Sequence, residues 1–424
     1  MSELSYLEKL LDGVEVEWLP LGKLGELVRG NGLPKSDFTE SGVPAIHYGQ
    51  IYTFYGLSTE TTKSFVSHET AKKLKKVNSG DVVITNTSEN FTDVGKALVY
   101  LGKEQAVTGG HATIFKPNST IIGKYFAYFT QTDSFANEKR KYSKGTKVID
   151  VSASDMAKII IPIPCPENPE KSLAIQSEIV RILDKFSALT AELTAELNMR
   201  KKQYNYYRDQ LLSFKEGEVE WKTLGEIGNF TYGYAAKAMD SGDARFVRIT
   251  DINKDGKLSK ENPMYVELNE ENEKYTLDKN DLLMARTGAT FGKTMIFEED
   301  YPAVYAGFLI KLNLNETIIN AKYYWHFAQS DFFWEQANKL VSGGGQPQFN
   351  ANALKQVRVP IPYPSHPQKS LDEQGRIVDI LDKFDAIAAS ITEGLPREIE
   401  LRQKQYEYYR DLLFSFPKPE TVSN

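Results

Sequence analysis

An internal repeat with a period near 200 residues constrains the fold of this chain more than any other feature. Short motifs of the first half return in the same order in the second half. The paired segments are 16–18 and 219–221 (VEW), 80–84 and 280–284 (GDVVI, NDLLM), 159–166 and 357–364 (IIIPIPCP, VRVPIPYP), 171–173 and 369–371 (KSL), 182–186 and 380–384 (ILDKF), and 203–209 and 405–411 (QYNYYRD, QYEYYRD). The sequence therefore predicts one structural unit built twice.

The first part of each unit, about 150 residues long, is predicted to be mixed α+β. Short β-branched and aromatic runs, such as 82–85 and 303–312, alternate with Gly, Asn and Asp. This is the pattern of strands joined by turns. Aromatic residues at helical spacing predict one helix at 124–135, with its copy at 322–334.

The second part of each unit follows a proline-rich strap, at 162–169 and again at 360–367. Because proline fixes φ and disfavours helix in the residue before it, each strap predicts a sharp boundary. Apolar residues then recur at spacings of three and four, which predicts a long helix with a heptad seam. Gly394, Leu395 and Pro396 are expected to break or kink the second helix. The seam residues are Ile179, Ile182, Phe186, Leu189, Leu193, Leu197, Tyr204, Tyr207 and Leu211 in the first copy, and Ile377, Ile380, Phe384, Ile387 and Ile391 in the second.

The start of the chain resembles the junction between its two units. Leu10 and Leu11 precede the first VEW motif as Leu211 and Leu212 precede the second. This circular order predicts pseudo-twofold symmetry, with two long antiparallel helices forming a coiled coil and a globular domain at each end. The predicted boundaries are 1–165 for the first domain with a short N-terminal helix, 166–215 for the first long helix, 216–364 for the second domain, and 365–424 for the second long helix.

Composition places few limits on function. Cys165 is the only cysteine, so no internal disulfide can form, which suits a reducing cytosol and predicts a cytoplasmic protein. No apolar run of about 18 residues is present, so no membrane span is expected. The net charge of −6 argues mildly against nucleic-acid binding, but basic clusters at 72–76 and 139–147 make the local distribution more important than the sum.

A convergent set of reactive groups cannot be recognised in the sequence. It contains neither a GxxxxGK[ST] loop nor a Cys/His cluster with metal-ligand spacing, so we predict no catalytic residue and no metal site. Asn262 to Tyr265 (NPMY) resembles the motif with which amino-methyltransferases hold a base, but its third residue differs and the first repeat has no counterpart. A turn ahead of a strand is the favoured interpretation.

Two glycine-rich or polar loops in each repeat are the best candidates for DNA contact. Residues 286–293 correspond to 85–96, and residues 342–348 correspond to 143–147. Such loops suit close approach to phosphates and base edges, although the glycines could simply turn hairpins. The copies keep the positions but vary the polar residues, as expected if each domain reads a different sequence. The candidate DNA-binding residues, with further nearby basic residues included, are Lys35, Asn86, Thr87, Ser88, Asn90, Lys96, Lys144, Thr146, Lys147, Lys237, Arg248, Arg286, Thr287, Thr290, Lys293, Gln346 and Gln348.

The order of these features resembles the specificity (S, or HsdS) subunits of type I restriction-modification systems. The resemblance rests on the IPxP strap, Gln176 or Gln374, the Ile-Val pairs at 179–180 and 377–378, and the final YYRD, and it covers essentially the whole chain. The tandem TAEL repeat at 190–197 closely resembles the spacer-setting repeat of one type I subfamily. One departure is that Ala174-Ile175-Gln176 lacks the Glu that precedes Gln374.

The resemblance implies a non-catalytic DNA-reading subunit of a multisubunit methyltransferase and endonuclease. Each globular target-recognition domain would read one half of a split site in double-stranded DNA. The helices would set the spacer, with Thr190, Leu193, Thr194 and Leu197 as the ruler residues, and would dock two modification (methyltransferase) subunits. Restriction (motor-nuclease) subunits would join for cleavage. This chain would bind no cofactor, since S-adenosylmethionine, ATP and Mg would belong to the partner subunits.

Two other classes of protein remain as alternatives. A self-contained methyltransferase or nuclease would need a cofactor loop and a catalytic motif, which the sequence does not show. A coiled-coil adaptor that binds only proteins would share the helices but would not bind DNA, and a salt-dependent gel shift separates it from a DNA reader.

Overall fold

The sequence duplication divides the structure as well. In a computed structural model, residues 1–194 with 397–424 form one unit, and residues 195–396 form the other. The structure describes residues 10–11, 13–215 and 217–418, and for 387–393 it describes the backbone alone. Each unit therefore contains a globular domain and segments of both long helices.

Most of the short strands of the first unit form two small sheets. Its strands are β1 Val16–Pro20, β2 Gly25–Arg29, β3 Phe38–Thr39, β4 Val43–Ile46, β5 Ser58–Thr59, β6 Ser64–Val66, β7 Lys75–Val77, β8 Val82–Thr85, β9 Thr87–Ser88, β10 Ala97–Tyr100, β11 Ala106–Thr108, β12 Ala112–Pro117, β13 Ile149–Asp150 and β14 Ile160–Pro164. Its helices are α1 Leu21–Leu24, α2 Tyr48–Thr53, α3 His68–Lys73, α4 Gly123–Phe129, α5 Asp133–Tyr142, α6 Ala153–Met156 and the start of α7 Pro169–Leu211.

The second unit repeats most of these elements. Its strands are β15 Val219–Thr223, β16 Gly228–Tyr232, β17 Ala244–Val247, β18 Tyr265–Val266, β19 Leu282–Ala285, β20 Thr294–Ile296, β21 Ala303–Tyr305, β22 Leu309–Leu314 and β23 Arg358–Pro362. Its helices are α8 Leu224–Ile227, α9 Ala321–Phe327, α10 Asp331–Leu340, α11 Ala351–Leu354 and the first part of α12 Pro367–Leu413. Single 3₁₀ turns occur at Lys35–Asp37, Ile249–Asp251, Glu273–Tyr275 and Gly288–Thr290.

Equivalent sheets have equivalent strand orders in the two units. The first unit has a sheet ordered β2-β12-β8-β10-β5, and the second has β16-β22-β19-β20. The central strands β8 and β19 are buried along their whole length, which explains why seven of their eight residues are apolar, Thr85 being the exception. The α+β class and the duplication predicted from the sequence are both confirmed.

Two predicted elements are divided in the structure. The helix expected at 124–135 is two helices, because the Thr132 hydroxyl accepts a hydrogen bond from the Phe135 amide and caps a new helix. The Ser330 hydroxyl caps its copy in the same way. The run at 303–312 forms two strands, β21 and β22, around a tight turn at 306–308.

Each long helix is fixed to its domain by a buried glutamine that follows the strap. The amide group of Gln176 donates to the Thr120 carbonyl and its oxygen accepts from the Ile122 amide, both at 2.9 Å. Gln374 makes the same pair of bonds, with the Ile318 carbonyl and the Asn320 amide. Both the NH2 group and the oxygen of each buried glutamine side chain are hydrogen-bonded, so each glutamine fixes the position of its helix against the domain. This motif residue is therefore a structural anchor.

The same aromatic contact between the two long helices occurs in both units. Phe186 of α7 stacks on Tyr409 of α12 at 5.1 Å in the first unit, and Tyr207 of α7 stacks on Phe384 of α12 at 5.5 Å in the second. The roles of the helices are exchanged between the two contacts. The side chains of Ile387 and Ile391, predicted for this seam, lie outside the described residues.

The second long helix continues through the segment where a break was expected. Helix α12 extends from Pro367 to Leu413 with Pro396 inside it, so the helix does not break there, and a kink at Pro396 stays a prediction. The missing amide of one proline removes a single bond from a helix of 47 residues, and the flanking turns continue. Most of the predicted N-terminal helix lies outside the described residues. Of this segment, the structure describes Leu10 and Leu11, and both are helical.

The end of the chain completes the first unit. Phe414 packs against Tyr125 and Phe129, and the Trp18 indole donates to the Pro417 carbonyl at 2.8 Å. In the second unit Leu212, which follows α7, is buried in the corresponding core. This arrangement agrees with the circular order read from the sequence.

Candidate nucleic-acid interface

In the second unit, an arginine lies between two exposed aromatic rings. The chain leaves β19 at Ala285, and the next residue, Arg286, places its guanidinium carbon 5.3 Å from the ring centroids of both Tyr232 and Phe308. Its Nε donates to the Gly307 carbonyl at 3.2 Å. Tyr232 and Phe308 are 44% and 57% exposed, so the stack faces solvent. The terminal nitrogens of Arg286 bind no other group among the described residues.

The two candidate loops of the second unit are joined. Thr287 and Gln348 form an antiparallel bridge, and the Gln348 amide donates to the Thr287 hydroxyl at 2.8 Å. The Gly288 amide donates to the Pro347 carbonyl at 2.9 Å. Thr287 is buried, whereas Gln346 at the tip of the second loop is exposed. The segments therefore form one polar surface with a backbone fixed by cross-loop bonds.

The remaining candidates of this unit differ in how free their side chains are. Lys237 is exposed, Lys293 is half-buried, and the Thr290 hydroxyl bonds the Thr287 carbonyl at 3.3 Å. Arg248 makes hydrogen bonds to both carboxylate oxygens of Asp251, at 3.1 and 2.9 Å. Since these donors are already used, Arg248 supports the fold rather than presenting a free guanidinium.

The corresponding loops of the first unit are joined in the same way. Thr87 and Ser88 pair with Asp150 and Ile149, the position equivalent to the Thr287–Gln348 bridge. Asn86 is completely buried and accepts from the Thr113 hydroxyl at 2.7 Å. The structure therefore gives Asn86 a supporting place beneath the loop, out of reach of a DNA base.

The other candidates of the first unit are mostly exposed. Thr146 and Lys147 are free at the loop tip, and Lys144 extends to Asp155 at 2.8 Å. Asn90 makes two bonds to Asp93, which close the turn after β9. Lys96 donates to the Tyr52 carbonyl at 3.3 Å.

A row of three rings next to this loop was not predicted. The Tyr48 ring lies 4.7 Å from both the His47 and the His111 rings, and the His111 Nδ1 atom lies 3.2 Å from the Thr87 hydroxyl. Burial lowers the pKa of His47, and the positive charges of Lys35 and His111 lower it further. A neutral imidazole beside Lys35 can donate or accept a hydrogen bond, as base reading requires.

One lysine of the basic cluster at 139–147 is structural. Lys139 is buried, and its ammonium donates to the carbonyls of Phe91, at 3.0 Å, and of Val94, at 2.5 Å. Burial lowers the pKa of this lysine to about 8. The side chain holds the segment that connects the candidate loop to β10.

Replacing Lys139 with Met should therefore destabilise the first unit by about 2–3 kcal/mol, because buried carbonyls lose their donor. The folded pKa lies below the unfolded value of 10.5, so the native state binds fewer protons and stability rises between about pH 8 and 10.5. This rise should be absent in Lys139→Met. Chemical unfolding at several pH values measures both effects, with the exposed Lys103→Met as the control; equal stability of the two variants would contradict the assignment.

Three potential metal ligands meet in the second unit, one from α9 and two from α12. Ligand atoms of His326, Asp382 and Asp385 all lie within 4.8 Å of one another. Nε2 of His326 lies 3.0 Å from the Asp382 carboxylate, and the Lys322 ammonium lies 2.8 Å from it. Burial opposes ionisation of Asp382, but these two partners hold its pKa at about 2. Lys322 and His326 of α9 are thus both paired with Asp382 of α12, and these contacts link the two helices.

The predicted ruler residues lie inside an uninterrupted helix. Thr190 and Thr194 of α7 each donate a hydroxyl hydrogen bond to the carbonyl four residues earlier, at 3.0 and 2.8 Å. Leu193 and Leu197 are half-buried. The division between the two units falls at Thr194, within the TAEL repeat.

Comparison with known proteins agrees with the duplication. The family model "Type I restriction modification DNA specificity domain" matches twice, over residues 13–200 and 216–401. The specificity subunit of the type I restriction enzyme EcoR124I/EcoR124II from Escherichia coli is 42% identical, over 100% of both chains. The EcoprrI specificity subunit from the same species is 34% identical over 93% of both chains.

The chain belongs to the family of type I restriction-modification specificity subunits.

The solved type I S subunit from M. genitalium shares the fold of this specificity subunit. It has a TM-score of 0.52 and 15% identity, with 96% of this chain and 98% of that chain covered. Among its described residues, no helix is both long and apolar enough to cross a membrane.

Sequence reasoning missed several residues of this specificity subunit that the fold brings to the candidate surface. They are Arg29, His47, Tyr48, His111, Tyr232 and Phe308. Their separations along the chain follow no period, because they reach the surface from several different strands and turns. Alignment of the two repeats could have pointed to Arg29 and Tyr232, which end equivalent strands β2 and β16.

Proposed function

We propose that each unit reads one half of a split site in double-stranded DNA and that the two halves differ in sequence. The observation that supports this most directly is the pair of equivalent surfaces with different side chains. Tyr232 and Phe308 in the second unit stand where Arg29 and His111 stand in the first. The same scaffold thus carries two sets of donors and acceptors, which suits two different half-sites.

The long helices are proposed to set the spacer and to dock two modification subunits. Met199 and Tyr206 of α7 are exposed, as are their counterparts Leu401 and Tyr408 of α12. Large apolar side chains exposed at repeated positions are typical of protein interfaces. Two equivalent patches suit two copies of one partner. Restriction subunits would add to this complex for cleavage.

Catalysis is proposed to reside on those partners. S-adenosylmethionine would bind the modification subunits, and ATP and Mg the motor-nuclease subunits. Asn262 and Pro263, the nearest sequence likeness to a methyltransferase motif, lie in an exposed turn before β18, and Asn262 has a positive φ of 46°. A turn of this kind offers no pocket for a flipped base.

The purified chain alone should show no methyl transfer, nuclease or ATP hydrolysis. Adding its modification subunit should give adenine methylation at one split motif, measured by tritiated methyl incorporation and by sequencing of modified bases. The matched control is the modification subunit alone. Methylation by this chain alone that disappears in Asn262→Ala would refute the proposal.

A further inference from the structure

We propose that Arg29 and Arg286 are the equivalent base-reading residues of the two domains, each reading a guanine through its two terminal nitrogens. The inference rests on the proposed function, in which each unit reads one half-site. Arg29 was not a candidate from the sequence, and its role follows from a contact that the structure repeats.

Both arginines bind the same backbone group. Nε of Arg29 donates to the Gly110 carbonyl at 3.1 Å, and Nε of Arg286 donates to the Gly307 carbonyl at 3.2 Å. Gly110 lies two residues before β12, and Gly307 lies two residues before β22, the equivalent strand. One carbonyl in one turn thus orients a guanidinium in each domain.

The two side chains reach this carbonyl from different strands. Arg29 ends β2, whose counterpart β16 ends at Tyr232. Arg286 follows β19, whose counterpart β8 is followed by Asn86. If the two arginines had been inherited from one ancestral repeat, they would lie on the same strand in both units. The two guanidinium groups instead reach the same carbonyl from different strands, which indicates that the anchored guanidinium itself serves the shared function.

The anchor leaves each guanidinium ready for a planar, two-acceptor partner. With Nε bonded, the terminal nitrogens remain, and in both residues they bind no carboxylate or carbonyl within the described ranges 10–11, 13–215 and 217–418. Arg245 and Arg248, by contrast, are paired with Asp251. Two parallel N–H donors match O6 and N7 of guanine in the major groove, the commonest specific arginine contact with DNA.

In the second domain, the arginine is held more firmly. Its guanidinium lies between Tyr232 and Phe308, and the Tyr232 hydroxyl accepts from the Ala351 amide at 3.1 Å, which fixes that ring. Stacking on aromatic faces restricts an arginine without using its terminal donors. Tyr232 and Phe308 are therefore positioning residues, and a preorganised donor pair loses less entropy on binding.

The test uses the whole chain with its modification subunit in a host that lacks other methyltransferases. Sequencing of modified bases first gives the wild-type split motif, which should contain at least one G·C pair in each half. Arg286→Lys should then lower discrimination at one G·C pair of one half about 10- to 100-fold, and Arg29→Lys should do so in the other half. Lysine keeps the positive charge but lacks the two parallel N–H donors of arginine, so a contact with a phosphate would survive this change.

Lys103→Gln and Lys279→Gln are the matched controls, because each removes one exposed charge from a turn of the same domain. Both should leave the motif unchanged. Arg29→Gln and Arg286→Gln, with thermal unfolding of each variant, provide a second measurement if a lysine variant folds poorly. Phe308→Ala should weaken the same G·C preference as Arg286→Lys but to a smaller extent.

The outcomes separate this inference from the function on which it rests. A wild-type complex that methylates no split motif would contradict the proposed function. A split motif with unaltered selectivity in the arginine variants, an equal loss at all sequences, or a half-site without a G·C pair would overturn the role of these arginines and leave the proposed function standing.

Discussion

A third TAEL unit inserted after Leu197 is expected to lengthen the unread spacer by about one to two base pairs, with both half-sites unchanged. Four residues add about 6 Å to a helix, and B-DNA rises about 3.4 Å per base pair. The existing units lie within the continuous helix α7, where Thr190 and Thr194 bond to the carbonyl of the previous turn. A further unit can continue that pattern.

The stability cost of this insertion should be small. Four residues turn the helix by about 400°, so the apolar seam shifts by only about 40°. Ala, Leu and Glu are good helix formers, and only Thr is poor. Leu193 and Leu197 are half-buried, and a new leucine four residues later would face nearly the same side.

A three-residue insertion at the same point is the control. It rotates the seam by about 60° in the opposite sense and should be tolerated less well. Sequencing of modified bases in strains that carry each insertion gives the spacer directly. If the spacer keeps its length in the folded four-residue variant, the helices do not set the distance between the half-sites.

Exchange of residues 1–165 with the same region of a related subunit is expected to replace one half-site and to leave the other unchanged. Each mismatched base pair costs about 1–3 kcal/mol. Loss of about three matched pairs should therefore reduce methylation of the old half-site about a hundredfold or more. The first unit, which contains this domain, has sheets and a core of its own, and this supports independent reading.

The structure identifies what such an exchange must preserve. Phe414 and the Pro417 carbonyl of the C-terminal segment contact Tyr125, Phe129 and Trp18 of the exchanged region. A donor that keeps aromatic residues at these positions should fold with the resident tail. The reciprocal exchange of 216–364 should change only the other half-site. A change in both halves after either exchange would show that the domains do not read DNA independently.

Sequence alone determined the architecture of this specificity subunit. Strand and helix periodicity, the proline straps and the repeated motifs are local signals, and they gave the duplication, the α+β class and the two long helices. The same signals failed where a local cap or turn competed with periodicity. Thr132 and Ser330 each divide a predicted helix, whereas the 47-residue helix α12 continues through Pro396.

Tertiary structure decided which side chains reach the DNA-reading surface. Lys139 and Asn86 look like solvent-exposed polar residues in the sequence, but strand pairing and helix packing bury both. In the sequence, nothing distinguishes Arg29 from other residues at the end of a strand. The pairing of β2 with β12 brings the Gly110 carbonyl beside its side chain. These hydrogen-bond partners lie 27 to 81 positions away in the chain, and such long-range pairing leaves no periodic trace in a single sequence.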